Sequence, residues 1–275
     1  MEATAMFKDI VARTRGDIYI GVVGPVRTGK STFIKRFVDL MVLPLIKDEQ
    51  LKRRTRDELP QSGSGRMIMT TEPKFVPDEA VTIELSEGMR ASLRLVDCVG
   101  YTVAGALGYF DEEGLRLVRT PWSEEEMSFE KAAEIGTRKV IQDHSNIGLV
   151  VTTDGSITDL PRENYLEAEE RVIRELQELG KPFIVLLNSV DPTAEMTLAL
   201  AEQLSAQYNV AVVPVDCLHL SEAQIAAILS GLLYEFPLRE IAVDVPEWIA
   251  ELPLNHELRE TIEKAIYANV SEVKK

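Results

Sequence analysis

Two cysteines, three histidines and 6% aromatic residues among 275 positions leave little material for several kinds of chemistry. Cys98 and Cys217 stand far apart, each at the end of an apolar run. That spacing encodes no metal cluster and no disulfide framework, and predicts reduced, partly buried thiols. His144, His219 and His256 are scattered, with neither triad nor metal spacing. No stretch approaches the about 20 apolar residues that span a bilayer, and no apolar signal segment opens the chain, so a cytoplasmic protein is expected. Positive charge is scarce too: 30 Lys and Arg face 45 Asp and Glu, a net charge of −15 at pH 7. Such acidity argues against a general nucleic-acid binder and against docking on anionic lipid by charge alone. What remains is 45% hydrophobic residues, enough for a real core, in a length that suggests one large domain plus a small addition.

The most informative stretch is Gly24-Pro25-Val26-Arg27-Thr28-Gly29-Lys30-Ser31, followed by Thr32. It fits the phosphate-binding loop, Gly, any four residues, Gly-Lys-Ser. β-type residues from Ile18 to Val23 precede it, and a helical pattern from Ser31 to Val42 follows, the setting that the motif needs. Gly24 and Gly29 let successive amides face one anion, and the helix N-terminus adds its positive dipole end. Thr28 lies in the same turn. Lys30 brings a full charge to the outer phosphates, and the Ser31 hydroxyl suits Mg²⁺. A bare glycine turn would not be flanked in this way, so a nucleoside triphosphate site is expected.

Short apolar runs alternate with helical patterns along the rest of the chain, the mark of an α/β fold with a mainly parallel sheet. Residues 1–17 read as a lead-in, 18–236 as the nucleotide-binding domain, and 237–275 as a short strand and helix opening a following domain. Within the domain, Lys47–Arg66 reads as a mobile polar loop and Tyr101–Glu126 as a long irregular insert. Val81–Leu85 and Ala91–Val96 read as paired strands, and Ser128 as the cap of a helix reaching Ile141. Ile147–Thr152, Phe183–Leu187 and Val210–Val215 read as core strands. Ser221 with Gln224 reads as a capping box. Ile241, Val243 and Val245 alternate like an edge strand.

Three further features complete a candidate site. Asp97 ends an apolar strand and Gly100 follows, so Asp97 can hold Mg²⁺ and the Gly100 amide can meet a γ-phosphate. Thr70 and Thr71 stand where switch-type nucleotidases place a Mg²⁺-ligating sensor, and either one fits. Asn188-Ser189-Val190-Asp191 occupies the place of a guanine-reading element, with Ser189 where a lysine is usual. There Asn188 can hold a loop, and Asp191 can accept from guanine or serve a turn. Residue types alone leave adenine and guanine both open. Tyr101 stands where many GTPases carry a water-orienting glutamine, so slow hydrolysis, or hydrolysis driven by another group, is expected. Arg27 either supplies a positive charge to the phosphates in cis or pairs with a surface carboxylate.

These residues, together with Met69–Pro77, Leu95–Val103, Ala132–Ile141 and Thr152–Gly155, resemble the N-terminal nucleotide-binding domain of the stage IV sporulation protein A family. The resemblance implies a three-layer fold related to translation-factor-type GTPases, and ATP as the nucleotide with Mg²⁺. In that family Lys30 matches the phosphate lysine, Asp97 the Mg²⁺-associated aspartate, and Thr70 and Thr71 the sensor threonines. It further implies a spore-coat morphogenetic ATPase in the mother-cell cytoplasm at the forespore surface. Hydrolysis there drives self-association into a static polymer that recruits other spore coat proteins. Membrane contact in the family runs through a small anchoring peptide and a C-terminal domain that this chain does not contain. Two other classes stay in view: a GTP-dependent switch without assembly activity, and a structural module that binds nucleotide without turning it over.

Overall fold

The computed structural model describes residues 10–11, 14, 16–60, 73–86, 89–106, 108, 110–111, 114–236, 243–253 and 256–272. The chain divides into two compact units, Met1–Glu235 and Phe236–Lys275. The first is built on a six-stranded sheet. Its strands are β1 (Asp17–Val23), β2 (Lys74–Ser86), β3 (Met89–Asp97), β8 (Ile147–Thr153), β9 (Phe183–Asn188) and β10 (Val212–Val215). Their order is β10-β9-β8-β1-β3-β2, parallel throughout except for the β2–β3 hairpin at one edge. Every residue of β8 and β9 is buried. That explains why these strands are apolar on both faces rather than alternating: helices cover both sides of a parallel sheet. Each fully buried Val, Leu or Ile side chain contributes about 1.5–3 kcal/mol.

The helices are α1 (Lys30–Phe37), α2 (Glu49–Asp57), α3 (Phe129–Lys139), α4 (Leu166–Glu178), α5 (Glu195–Tyr208) and α6 (Glu222–Tyr234). Ser128 caps α3 by accepting from the Lys131 amide at 3.3 Å. The Ser221–Gln224 capping box is present on α6. Both α1 and α3 end in π turns, Val38–Val42 and Val140–His144, so the helical stretches reach about as far as the apolar pattern does.

The described parts of two expected loops are ordered structure instead. Within Lys47–Arg66, Asp48 caps α2 by accepting from Gln50 and Leu51 amides at 2.8 and 3.3 Å. Glu49 lies in its first turn and Arg54 and Arg56 in its last, matching the helix dipole. The segment was polar because only Thr55 of this helix is buried, not because it lacks structure. Residues 61–66 lie outside the described residues. The Tyr101–Glu126 insert contains two hairpins, β4 (Phe110–Asp111) with β5 (Gly114–Leu115), and β6 (Leu117–Thr120) with β7 (Ser123–Ser128). Their strands are too short and too polar to announce themselves in the sequence.

The second unit carries the short helix α7 (Glu247–Ala250) and α8 (Glu257–Glu272), the latter laced by Arg259–Glu263 and Lys264–Glu260 ion pairs at 2.8 and 3.4 Å. The expected edge strand is not seen where it is described. Val243 and Val245 are exposed and irregular ahead of Pro246, while Ile241 lies outside the described residues.

Candidate functional site

The phosphate loop runs from the carboxyl end of β1 into α1, at the edge where the central strands end. Ligands of open α/β sheets bind at this edge. Helix α1 starts on Gly29 with φ 97°, has no side-chain cap and carries no acidic residue in its first turn. Its first amides are thereby left to an anion. Gly29 is required twice over. Its φ is left-handed, and a Cβ there would stand 2.3 Å from Asn188 Nδ2. Ser31 and Thr32 are half-buried in the first turn. Thr28 is fully buried and donates to the Pro25 carbonyl at 3.0 Å, which tightens the loop.

Lys30 is 5% exposed and donates to the carbonyls of Gly24 and Pro25. Burial pushes its ammonium below the usual lysine range, against the opposing pull of Cys98 and Asp97. Asp97 closes the site from β3. Its Oδ2 accepts from Ser31 Oγ at 2.7 Å. Its Oδ1 is buried without a hydrogen-bond partner among the described residues. Burial raises the Asp97 carboxyl above the usual range, while Ser31 and Lys30 pull it back. Such an orphan oxygen is costly unless something binds it. A hydroxyl and a carboxylate oxygen at the mouth of a phosphate loop are hard donors that suit a hydrated divalent cation, so the residues present fit Mg²⁺.

The Asp97–Tyr101 segment is seated directly on the loop. Tyr101 N donates to Gly24 O at 3.2 Å and Val26 N to Tyr101 O at 2.9 Å, a parallel bridge between Pro25 and Tyr101. Gly100 has φ 97°, and a Cβ on it would come within 2.2 Å of Gly24 O and 2.6 Å of Lys30 Nζ. Its amide, expected to meet a γ-phosphate, donates here to Thr137 Oγ1 at 3.2 Å. Tyr101 is buried and its hydroxyl reaches Glu175 on α4 at 2.6 Å, away from the loop.

Asn188 does what its place at the end of β9 suggested, and more. Nδ2 donates to Thr28 O at 2.9 Å, and Oδ1 accepts from the Cys217 amide at 3.0 Å. One buried side chain thus ties the phosphate loop to the turn after β10. Asp191 is exposed, and its Oδ1 accepts from the Thr193 amide and hydroxyl at 3.1 and 2.7 Å. Those bonds hold its carboxyl below the usual range. That is turn geometry, one of the two options, and it leaves the other oxygen of an exposed carboxylate. Ser189 is buried against Thr197, so the position that often carries a base-stacking lysine faces inward.

Arg27 has φ 62°, a left-handed conformation that costs a non-glycine residue on the order of 1 kcal/mol or more. It is half-buried and makes no ion pair among the described residues, so the pairing with a surface carboxylate is not seen there. Thr70 and Thr71 lie outside the described residues. Cys98 and Cys217 are both free, buried thiols, pushed up by burial, Cys98 to about 11. Sequence reasoning missed Thr137 and the Cys217 amide. Thr137 had a faint signal, since it follows the small residues Ala132, Ala133 and Gly136 on one helix face, a pattern that permits close approach. A backbone amide has no signal at all.

Residues 1–237 match the family model described as stage IV sporulation protein A, ATPase domain. The chain is 53% identical over its full 275 residues to stage IV sporulation protein A of Bacillus anthracis and, equally, to that of Bacillus subtilis strain 168. It is 51% identical over 270 residues to that of Clostridioides difficile strain 630. It spans 55–56% of the length of these relatives. Among solved structures it is similar to two SsGBP mutation variants, at 17% and 16% identity and TM-scores of 0.40 and 0.41, covering 82% of this chain and 61% of each of those.

Proposed function

Since the chain belongs to the stage IV sporulation protein A family and carries that family's ATPase domain, we propose that it hydrolyses ATP with Mg²⁺ to drive self-assembly of the spore coat basement layer on the forespore surface. The polymer so formed would lie in the mother-cell cytoplasm and recruit other coat proteins. The observation that carries the catalytic part is the Ser31–Asp97 hydrogen bond with its orphan carboxylate oxygen, close enough to Lys30 for their charges to act on each other. Three groups converge where a triphosphate chain would leave the loop, and each has the chemistry that it needs.

Loop amides and the α1 N-terminus hold the phosphates, and Lys30 exchanges its loop carbonyls for phosphate oxygens. Ser31 and Asp97 would hold Mg²⁺, which offsets charge on the β- and γ-phosphates when bound. Water attacks the γ-phosphate in line, and Arg27 brings a second positive charge to the developing anion. Tyr101 does not orient that water, because its hydroxyl is committed to Glu175. Adenine rather than guanine is supported by the description of the matching family model, an ATPase domain.

Competition binding tests the base. A tenfold excess of GTP over labelled ATP should displace little of it. Full displacement at equal concentrations would replace the ATP reading with the GTP-dependent switch. For the loop arginine, Arg27→Ala should lower kcat at saturating ATP at least tenfold with little change in melting temperature. Unchanged turnover would assign Arg27 to the loop's shape alone.

A further inference from the structure

Tyr101 is the one residue singled out by its position next to the γ-phosphate segment whose side chain the hydrolytic chemistry leaves unused. Its surroundings give it another task. The backbone of Tyr101 is hydrogen-bonded on both sides to the phosphate loop, at Gly24 O and Val26 N. Its ring is 2% exposed and lies beneath the Arg171 guanidinium, 4.3 Å from the ring centroid. The hydroxyl donates to Glu175 Oε2 at 2.6 Å. Glu175 Oε1 also faces Arg138 at 3.5 Å, and Arg171 pairs with Glu134 at 2.5 Å. Glu134 and Arg138 stand on α3, Arg171 and Glu175 on α4. One residue therefore joins the phosphate loop to α4 through a partly buried hydrogen bond, backed by a charged cluster that α3 shares.

We propose that Tyr101 is a positioning residue for the triphosphate site, acting as a strut whose anchor is Glu175. The physical case is one of geometry. The loop and the Asp97–Tyr101 segment touch without slack, as the 2.2 Å approach of a Cβ on Gly100 to Gly24 O shows. A small rotation of that segment would carry Asp97 away from Ser31 and change the angle at which the loop presents its amides. A hydrogen bond to a charged group is stronger than one between neutral groups, which favours one rotamer of the buried tyrosine. Misplacement by about 1 Å can cost on the order of a hundredfold in rate. The strut thus replaces a water-orienting side chain with a device that fixes the frame around the nucleotide.

The inference rests on the ATPase reading, and the test separates the two. Phosphate release and fluorescent-ATP binding are measured for the unsubstituted chain, Tyr101→Phe, Glu175→Ala, the double variant and Glu175→Gln, with thermal melts on each. Tyr101→Phe and Glu175→Ala should each lower kcat about tenfold with KM changed less than threefold. The double variant should lose no more than Glu175→Ala alone, since that variant already breaks the bond to the tyrosine hydroxyl. Glu175→Gln keeps an acceptor and should recover most of the rate. If Tyr101→Phe and Glu175→Ala melt lower but turn over ATP within twofold of the unsubstituted chain, the tyrosine is only a packing element and the strut is refuted. Losses that multiply in the double variant refute it as well. If the unsubstituted chain neither binds nor hydrolyses ATP, the ATPase reading itself falls, and the strut with it.

Discussion

Replacing Lys30 with alanine should cut phosphate release from ATP at least a hundredfold, about 2.7 kcal/mol of transition-state stabilisation. Lys30 is the only cation of the loop that is fully committed to it: buried, next to Asp97, and bonded to two loop carbonyls. Developing charge on the transferred phosphoryl group would lose its nearest full positive charge in a site of low dielectric, where such charges count most. Folding should survive. Alanine leaves Gly24 O its bond from the Tyr101 amide and Pro25 O its bond from the Thr28 hydroxyl, so neither carbonyl is orphaned. Release of inorganic phosphate by the purified chain, with circular dichroism as the control for folding, decides the matter. Release within fivefold of the unsubstituted chain, from a folded variant, would mean that hydrolysis does not pass through this loop.

Removing the Glu169 carboxylate should have the largest effect on stability, about 3–5 kcal/mol for Glu169→Ala. Glu169 is fully buried on α4. It accepts from Arg162 Nη2 at 2.7 Å, from the Thr152 hydroxyl and, more distantly, from Tyr208 at 3.4 Å. The Arg162 side chain is itself only 13% exposed, and its Nε already lacks a partner. Without Glu169 a guanidinium would sit in a low-dielectric pocket with no counter-charge. The cost comes from that orphaned cation rather than from the pair's own net contribution. Combining Glu169→Leu with Arg162→Met should therefore recover most of the loss. Urea denaturation of the three chains separates the cases. A loss below about 1 kcal/mol for Glu169→Ala would show that water reaches Arg162 and that the pair is not a buried one.

The same pair shows how function and stability share parts here. Arg162 precedes α4, and Gly155 packs on its backbone at the end of β8. The turn after β8 then meets the turn after β9, where Asp154 N donates to Asn188 O at 3.4 Å and Val190 N to Ser156 Oγ at 3.0 Å. Glu169 is thus linked to the loops beside the phosphate site both through Thr152 of β8 and through these hydrogen-bonded turns.

The core strands were readable because a parallel sheet covered on both faces forces uninterrupted apolar runs, as in Phe183–Leu187. Helix α2 was not, because a helix that buries one residue leaves no periodic stripe to read. The paired turns of the Tyr101–Glu126 insert failed for a related reason, with strands of only two to six residues.

By itself the order of residues determined the phosphate loop, its flanking strand and helix, and Asp97 at a strand end. All of these depend on neighbours within a few positions, where glycine conformations, capping and periodicity act. Only the folded chain decided that Asn188 clasps two loops, that Asp191 holds its own turn through one oxygen, and that Tyr101 turns its hydroxyl to Glu175. Each of those outcomes, apart from the turn at Asp191, joins residues from 29 to 160 positions apart. Which polar group finds which partner across such spans is set by how the layers pack, and short-range chemistry carries no record of it.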